Sequence, residues 1–152
     1  MLDYQIPKKA RDIIIYTDGA CQPNPGEGGW AFIILDGVNE VVASGYEKMS
    51  TNSRMEINPV IEALQRLKEP YNIKLYSDSA YVVNTINKWL PNWIAKGEEK
   101  ANMDLWRKFI EVSSNHYIFA EHVKGHSINP YNNRCDILAV NARKHQGGYY
   151  ED

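Results

Sequence analysis

The stretch Asp12-Ile-Ile-Ile-Tyr-Thr-Asp18-Gly-Ala20 decides how the fold is read. Its β-branched and aromatic run ends abruptly in Asp18-Gly19. A continuous apolar run of this kind is expected for a central strand covered on both faces. The pattern returns at Asn72-Ile-Lys-Leu-Tyr-Ser-Asp78-Ser79: an apolar segment, then Tyr, a hydroxyl residue, Asp and a small residue. Either Asp alone could simply end its strand in an Asx turn. The matched pair says more. If the two strands are parallel neighbours, their carboxylates meet at one sheet edge about 5 Å apart, and like charges that close call for a cation.

Working outward, strand one covers about 13–17. Cys21-Gln-Pro-Asn-Pro-Gly-Glu-Gly-Gly29 follows, read as a turn-rich loop and not as a nucleotide cradle, because it lacks the strand-to-helix context of one. Trp30–Leu35 and Val41–Tyr46 are strands joined by an Asp36-Gly37 hairpin signal, so the first three strands form an antiparallel meander. Ile57, Val60, Ile61, Leu64 and Leu67 give a helix from Met55 to Lys68, with Pro59 in its first turn. Strand four spans about 73–77, and a helix runs from about Ser79 to Lys88. Leu90–Gly97 is expected to be an irregular protrusion. A helix over Met103–Val112, a strand over His116–Val123, a loop over Lys124–Asn133 and a helix over Arg134–His145 complete the order. The expectation is one α/β domain over residues 1–152, a mixed five-stranded sheet flanked by helices. Residues 1–11 and 146–152 are expected to be flexible.

Bulk properties narrow the class. A chain of 152 residues with 43% apolar and 24% charged side chains suits one ordinary globular core. No run is long enough for a membrane helix, and Met1-Leu-Asp-Tyr-Gln5 is unlike a signal peptide. Cys21 and Cys135 form no CxxC pattern, which favours a reducing, cytoplasmic setting without zinc. A net charge of −2 argues against coating nucleic acid by bulk charge, while leaving room for a local groove or a metal bridge to phosphate.

Two more acids stand at structural breakpoints. Glu56 in Thr51-Asn-Ser-Arg-Met-Glu56 fits a capping box with Ser53. It also shares a helical stripe with Val60, Ala63 and Leu67, where an unpaired acid is costly. Asp136 opens the last helix, where it would also be favourable as a charge at a helix N-terminus. Four acids at two strand ends and two helix beginnings form a hard-oxygen set suited to Mg²⁺ or Mn²⁺.

At this point the motifs form a recognisable series. Tyr16-Thr-Asp18-Gly-Ala-Cys21 with Asn24-Pro-Gly26, Thr51-Asn-x-Arg-Met-Glu56, Ser77-Asp78-Ser, Asn102-x-Asp-Leu-Trp106, and Lys124-Gly-His126 with Asn133-Arg-Cys-Asp136 resemble type 1 ribonuclease H of the bacterial kind. The resemblance runs in order from about residue 12 to 145. Each motif is weak alone; five in order are specific. It implies hydrolysis of the RNA strand of RNA–DNA hybrids, leaving 5′-phosphate and 3′-hydroxyl ends. Asp18, Glu56, Asp78 and Asp136 match the family's metal-binding carboxylates and His126 its loop histidine. Two ions about 4 Å apart would act on the scissile phosphate. The resemblance makes Asp18 the bridge, puts Asp136 on the water-activating ion, and puts Glu56 and Asp78 on the leaving-group ion. His126 could shuttle protons or assist product release.

The resemblance also implies a substrate surface. Cys21, Asn24, Asn52 and Ser53 match groups that read the 2′-hydroxyl across the minor groove. Thr51 and Asn102 match a pocket for a DNA-strand phosphate, and Trp89 and Trp93 a channel beside the DNA backbone; Trp106 is read as core. Ser53 stands where Asn or Gln is common, and Ala80 where Gln is frequent. Lys88, Lys96, Lys100, Arg107 and Lys108 against Glu98, Glu99 and Asp104 leave the protrusion only mildly basic, so weaker hybrid binding is expected than in relatives with a strongly basic handle. No additional hybrid-binding domain and no oligomer interface are expected. The Thr-Asn-x-Arg-Met-Glu and Lys-Gly-His segments disfavour other nucleases of the same fold, such as an integrase or a 3′–5′ exonuclease. A non-catalytic hybrid-binding module would not need all four acids.

Overall fold

The computed structural model describes residues 10–124 and 128–151. Three long strands come first: β1 (Arg11–Cys21), β2 (Gly26–Asp36) and β3 (Asn39–Ser50). They pair antiparallel, with Gly37 at φ 62° in the two-residue turn between Asp36 and Asn39. Helix α1 (Asn52–Gln65) leads to β4 (Tyr71–Ser77), which lies parallel to β1 with Tyr16 opposite Tyr76 and Thr17 opposite Ser77. Next come α2 (Ala80–Asn84), a π turn (Thr85–Trp89), α3 (Leu90–Lys96) and α4 (Met103–Ser113). Strand β5 (Tyr117–His122) joins β4 in parallel, α5 (Pro130–His145) crosses back, and β6 (Tyr149–Glu151) closes the chain. The sheet order is β5-β4-β1-β2-β3-β6.

The mixed sheet, with its three antiparallel strands followed by two parallel ones, agrees with the sequence reading and gains one strand. Residues 149–151, expected to be a flexible tail, pair with β3. Gln146 turns the chain at φ 54°, Gly148 passes against the Ser44 carbonyl, and the Arg66 guanidinium covers the Tyr150 ring at 4.4 Å. A three-residue strand carries no pattern of its own; its partner creates it.

Other boundaries also shift. Gly26–Gly29, read as a turn, belongs to β2, with a register shift between Gly26 and Gly28 that absorbs the irregularity. Helices press on two of these glycines: a Cβ on Gly28 would stand 2.6 Å from the Met55 side chain of α1, and one on Gly29 2.1 Å from the Ala139 carbonyl of α5. Leu90–Lys96, expected to be irregular, is helical, and Gly97 at φ 64° ends it as a left-handed cap. α5 begins at Pro130, inside the expected loop, because the Asn129 side chain accepts from the amides of Tyr131 and Asn132. α1 begins at Asn52 under a Thr51 cap that accepts from the Arg54 amide at 3.2 Å. Pro59 therefore lies in the interior of α1 and not in its first turn.

Two apolar layers sandwich the sheet. The larger places Ile13, Ile15, Phe32, Met55, Val60, Leu75 and Trp106 between the sheet and helices α1, α2 and α4. The smaller sits under α5 and comprises Tyr16, Ile33, Val42 and Cys135, with Tyr76, Tyr131 and Leu138 packed around them. Trp106 is fully buried and its indole N–H donates to Tyr81 Oη at 2.9 Å, in keeping with its reading as core. Among the described residues no helix is long and apolar enough to cross a membrane.

Candidate metal centre and active site

The parallel register of β1 and β4 sets the first two carboxylates side by side. Its last pair is Thr17 with Ser77, so the next residues along each chain are Asp18 and Asp78. Helix α1 delivers the third acid from behind, and Gly19 makes that approach possible. A Cβ at Gly19 would stand 2.2 Å from the Met55 carbonyl and 2.8 Å from the Glu56 amide. That Met55 carbonyl is the i−4 acceptor that Pro59, lacking an N–H, leaves without its helical bond. Carboxylate oxygens of Asp18, Glu56 and Asp78 lie within 4.8 Å of one another, consistent with the spacing expected from the two strand ends.

One amide organises the cluster. Gly19 N–H donates to Asp18 Oδ1 at 2.8 Å and to Glu56 Oε1 at 3.0 Å. The second oxygens, Asp18 Oδ2 and Glu56 Oε2, are buried and have no hydrogen-bond partner among the described residues. Burial raises the Asp18 pKa to about 8, helped by the negative charges of Asp78 and Asp136. Burial likewise drives Glu56 well above the usual carboxylate range, with Asp18 and Asp78 adding repulsion. Buried acids without a compensating cation or donor are strongly unfavourable when ionised. Hard, clustered oxygens of this kind suit a divalent cation such as Mg²⁺.

Asp136 stands in the second turn of α5, close enough to Asp18 to raise its pKa, but outside the tight triad. It does not open its helix, and Glu56 is not paired with Ser53 in a capping box. Both acids sit one turn further into their helices than the motifs suggested, so neither is explained as a helix-end charge. His126 lies outside the described residues. The strand before it is tied in place: Val123 N–H donates to the Ser77 carbonyl at 2.8 Å, and His122 Nε2 is 3.1 Å from the Asp78 carbonyl.

The candidate substrate residues surround the acids unevenly. Gly19, Asn52, Ser53, Glu56, Asp78 and Ser79 line one shallow open hollow. Asn24 reaches its rim, its Oδ1 accepting from the Asn52 amide at 3.1 Å. Cys21 behaves otherwise: its side chain is buried and faces the carbonyls of Pro23, Gly26 and Ser50 at 3.3–3.5 Å, so only its backbone borders the loop surface. Thr51 spends its hydroxyl capping α1. Asn102 adopts a left-handed conformation at φ 63° and donates to Tyr81 Oη at 3.3 Å. Trp89, which is exposed, stacks at 6.3 Å on Trp93, which packs partly against the core, with the Lys100 ammonium 5.9 Å from the Trp93 ring.

Sequence reasoning passed over Arg54 as a site residue. Its guanidinium bonds both Asp104 carboxylate oxygens at 3.0 and 2.8 Å and reaches Asn102 Oδ1 at 3.5 Å, while its amide binds Thr51. It thereby joins Thr51 to Asn102, which lie far apart in the chain. Its place inside the Thr51–Glu56 motif was the available signal.

The sequence pattern of the RNase H family matches residues 10–144. The chain belongs to the ribonuclease H family. A ribonuclease H of Chlorobium phaeobacteroides is 49% identical over 141 residues, covering 88% of this chain and 97% of its own length. Its counterpart in Acetivibrio thermocellus is 48% identical, covering 88% and 96%. Ribonucleases H are endoribonuclease hydrolases, and the chain is an enzyme of that class. Among solved structures, LC9-RNase H1 superposes with a TM-score of 0.82 at 24% identity, covering 97% of this chain and 79% of its own. LC11-RNase H1, solved in complex with an RNA/DNA hybrid, gives 0.69 at 23% identity, covering 88% and 98%. At such identities these two structures speak for the ribonuclease H fold alone.

Proposed function

We propose that this ribonuclease H cleaves the RNA strand of RNA–DNA hybrids internally, with two divalent ions, leaving 5′-phosphate and 3′-hydroxyl ends. The observation that carries the metal assignment is the pair of buried, unpartnered oxygens, Asp18 Oδ2 and Glu56 Oε2, beside Asp78. Asp18, Glu56 and Asp78 would hold one ion, and Asp18 with Asp136 the other. Bound there, Mg²⁺, with Mn²⁺ as a substitute, would activate water on one side of the scissile phosphate and stabilise the leaving oxygen on the other.

The chain's own groups do the rest. The Gly19 amide holds one oxygen of Asp18 and one of Glu56, and the other two would be left for a cation. Asn24, Asn52, Ser53 and the Cys21 backbone would read the ribose 2′-hydroxyl. Thr51 and Asn102, linked through Arg54, would take a phosphate of the DNA strand, and the stacked Trp89 and Trp93 would flank its backbone. His126 would move a proton at the scissile phosphate. The two free, buried cysteines fit a reducing cytoplasm, where the chain would act as a monomer.

The test is a labelled hybrid with RNA placed internally, incubated with Mg²⁺ or with chelator. Cleavage within the RNA tract by wild type, lost in Asp18→Asn while binding persists, is the expected result. Binding without cleavage by wild type would replace this reading with that of a hybrid-binding module.

A further inference from the structure

Three tyrosines lie beneath the acids. Tyr16 and Tyr76 are direct register partners in β1 and β4, their rings stacked at 4.9 Å and 16°. Tyr131, in the first turn of α5, stacks on the other side of Tyr16 at 5.3 Å and 26°. Each strand tyrosine precedes its acid by two residues, Tyr16 before Asp18 and Tyr76 before Asp78, and Tyr131 precedes Asp136 by five. The stack is also bonded. Asn129 caps α5 through Oδ1, with contacts of 3.0 and 3.1 Å, and its amide nitrogen donates to Tyr16 Oη at 3.1 Å. One turn later, Cys135, adjacent to Asp136, places its thiol 3.5 Å from the Tyr16 carbonyl.

α5 needs such an anchor. It belongs to neither strand of the carboxylate pair; further along it packs on Gly29 and pairs Arg134 with Glu40, but its N-terminal half meets the sheet through the smaller apolar layer, in which Tyr16 is the largest buried side chain. Stacked aromatic pairs have a preferred offset geometry and contribute beyond the area they bury. A hydrogen bond at the helix cap fixes the remaining freedom of the α5 N-terminus.

We propose that the Tyr16–Tyr76–Tyr131 stack, locked by Asn129, is a positioning device that sets Asp136 against Asp18 and Asp78 and so governs metal affinity. None of the four residues touches substrate or metal in this scheme. The proposal rests on the reading of Asp136 as a metal-holding group.

The experiment compares Tyr131→Ala, Tyr131→Phe and Asn129→Ala with wild type. Mg²⁺ binding to the substrate-free protein is measured by calorimetry, and kcat, KM and the half-saturating Mg²⁺ concentration are measured on a labelled hybrid. Loss of an outer group that orients a metal ligand weakens metal binding roughly 10- to 100-fold. Tyr131→Ala and Asn129→Ala should show a loss of that order in calorimetry and in half-saturating Mg²⁺, with KM for the hybrid nearly unchanged. Tyr131→Phe, which keeps the ring, should restore both. Wild-type Mg²⁺ affinity in a folded Tyr131→Ala or Asn129→Ala protein would overturn the proposal, whatever the change in melting temperature. If Tyr131→Ala does not fold, Asn129→Ala decides alone. Asp136→Asn, run alongside, separates the two ideas: unaltered Mg²⁺ binding there refutes the metal-holding role of Asp136 and not the action of the stack on α5.

Discussion

The amide of Gly19 donates to Glu56 Oε1 at 3.0 Å, although the two residues are 37 positions apart. That bond joins the end of β1 to the second turn of α1, and it exists because glycine lets the helix backbone touch the strand. Gly19→Ala would drive a methyl group into the Met55 carbonyl. Overpacking of this kind typically costs about 1–3 kcal/mol. Activity should fall much further, since α1 carries Glu56. Urea denaturation and hybrid cleavage measured on the same preparation check this; near-normal turnover in a destabilised variant would contradict it.

Asp18→Asn should stabilise the metal-free protein while abolishing cleavage. The buried carboxylate is opposed by desolvation and by Asp78 and Asp136. The gain is on the order of 2 kcal/mol, less than the full shift implies because the amide is itself a buried polar group. Thermal melts in chelator provide the measurement, and a lower melting temperature than wild type would count against it.

The same shift sets a pH dependence. Asp18 has a folded pKa of about 8 against an ordinary 3.8. Between these values the folded protein keeps a proton that the unfolded chain has released. Stability without metal therefore declines as pH rises from about 4 to about 8. A divalent ion held there would remove the repulsion, so Mg²⁺ should raise the melting temperature more at pH 8 than at pH 5. An equal Mg²⁺ effect at both pH values would refute the assignment.

His116 acts in the opposite sense. It is buried, and its Nδ1 accepts the Tyr71 amide at 3.1 Å, a bond that requires the neutral ring. Burial lowers its pKa below 6.5. Below that pH the unfolded chain takes up a proton that the folded ring resists, so stability falls as pH drops. His116→Asn, keeping an acceptor, should cost about 1 kcal/mol at pH 7. It should also show less acid-side loss than wild type between pH 6.5 and 5 in urea titrations. Parallel curves would exclude His116 as the cause.

Hybrid affinity should depend only weakly on salt. Lys100 pairs with Glu98, Arg107 with Glu99 and Lys108 with Glu111, whereas Lys88 and Lys96 make no direct ion pair among the described residues. Each cation newly available to phosphate adds about 0.9 to the salt slope. Glu98→Gln combined with Glu99→Gln should thus steepen the slope by up to about 2 and tighten binding. An unchanged slope in titrations over several salt concentrations would disprove the pairing argument.

The apolar run before Asp18 and its echo before Asp78 were enough to specify two central strands and a carboxylate pair, because side-chain periodicity and strand spacing are local rules. Glu56 stood out on the stripe it shares with Val60 and Ala63. Local rules also misled. Gly26–Gly29 reads as a turn until α5 presses on it, Leu90–Lys96 reads as irregular until α3 forms, and Tyr149–Glu151 reads as a tail until β3 offers an edge. Capping explained Glu56 and Asp136 too easily, since Thr51 and Asn129 start the helices earlier. What the sequence could not specify were relations across the fold: the Gly19 amide shared by two acids, Arg54 joining Thr51 to Asn102, and the tyrosines stacked beneath Asp18 and Asp78. Their long-range members link residues from 37 to 115 positions apart. No periodicity encodes them, and packing alone brings them together.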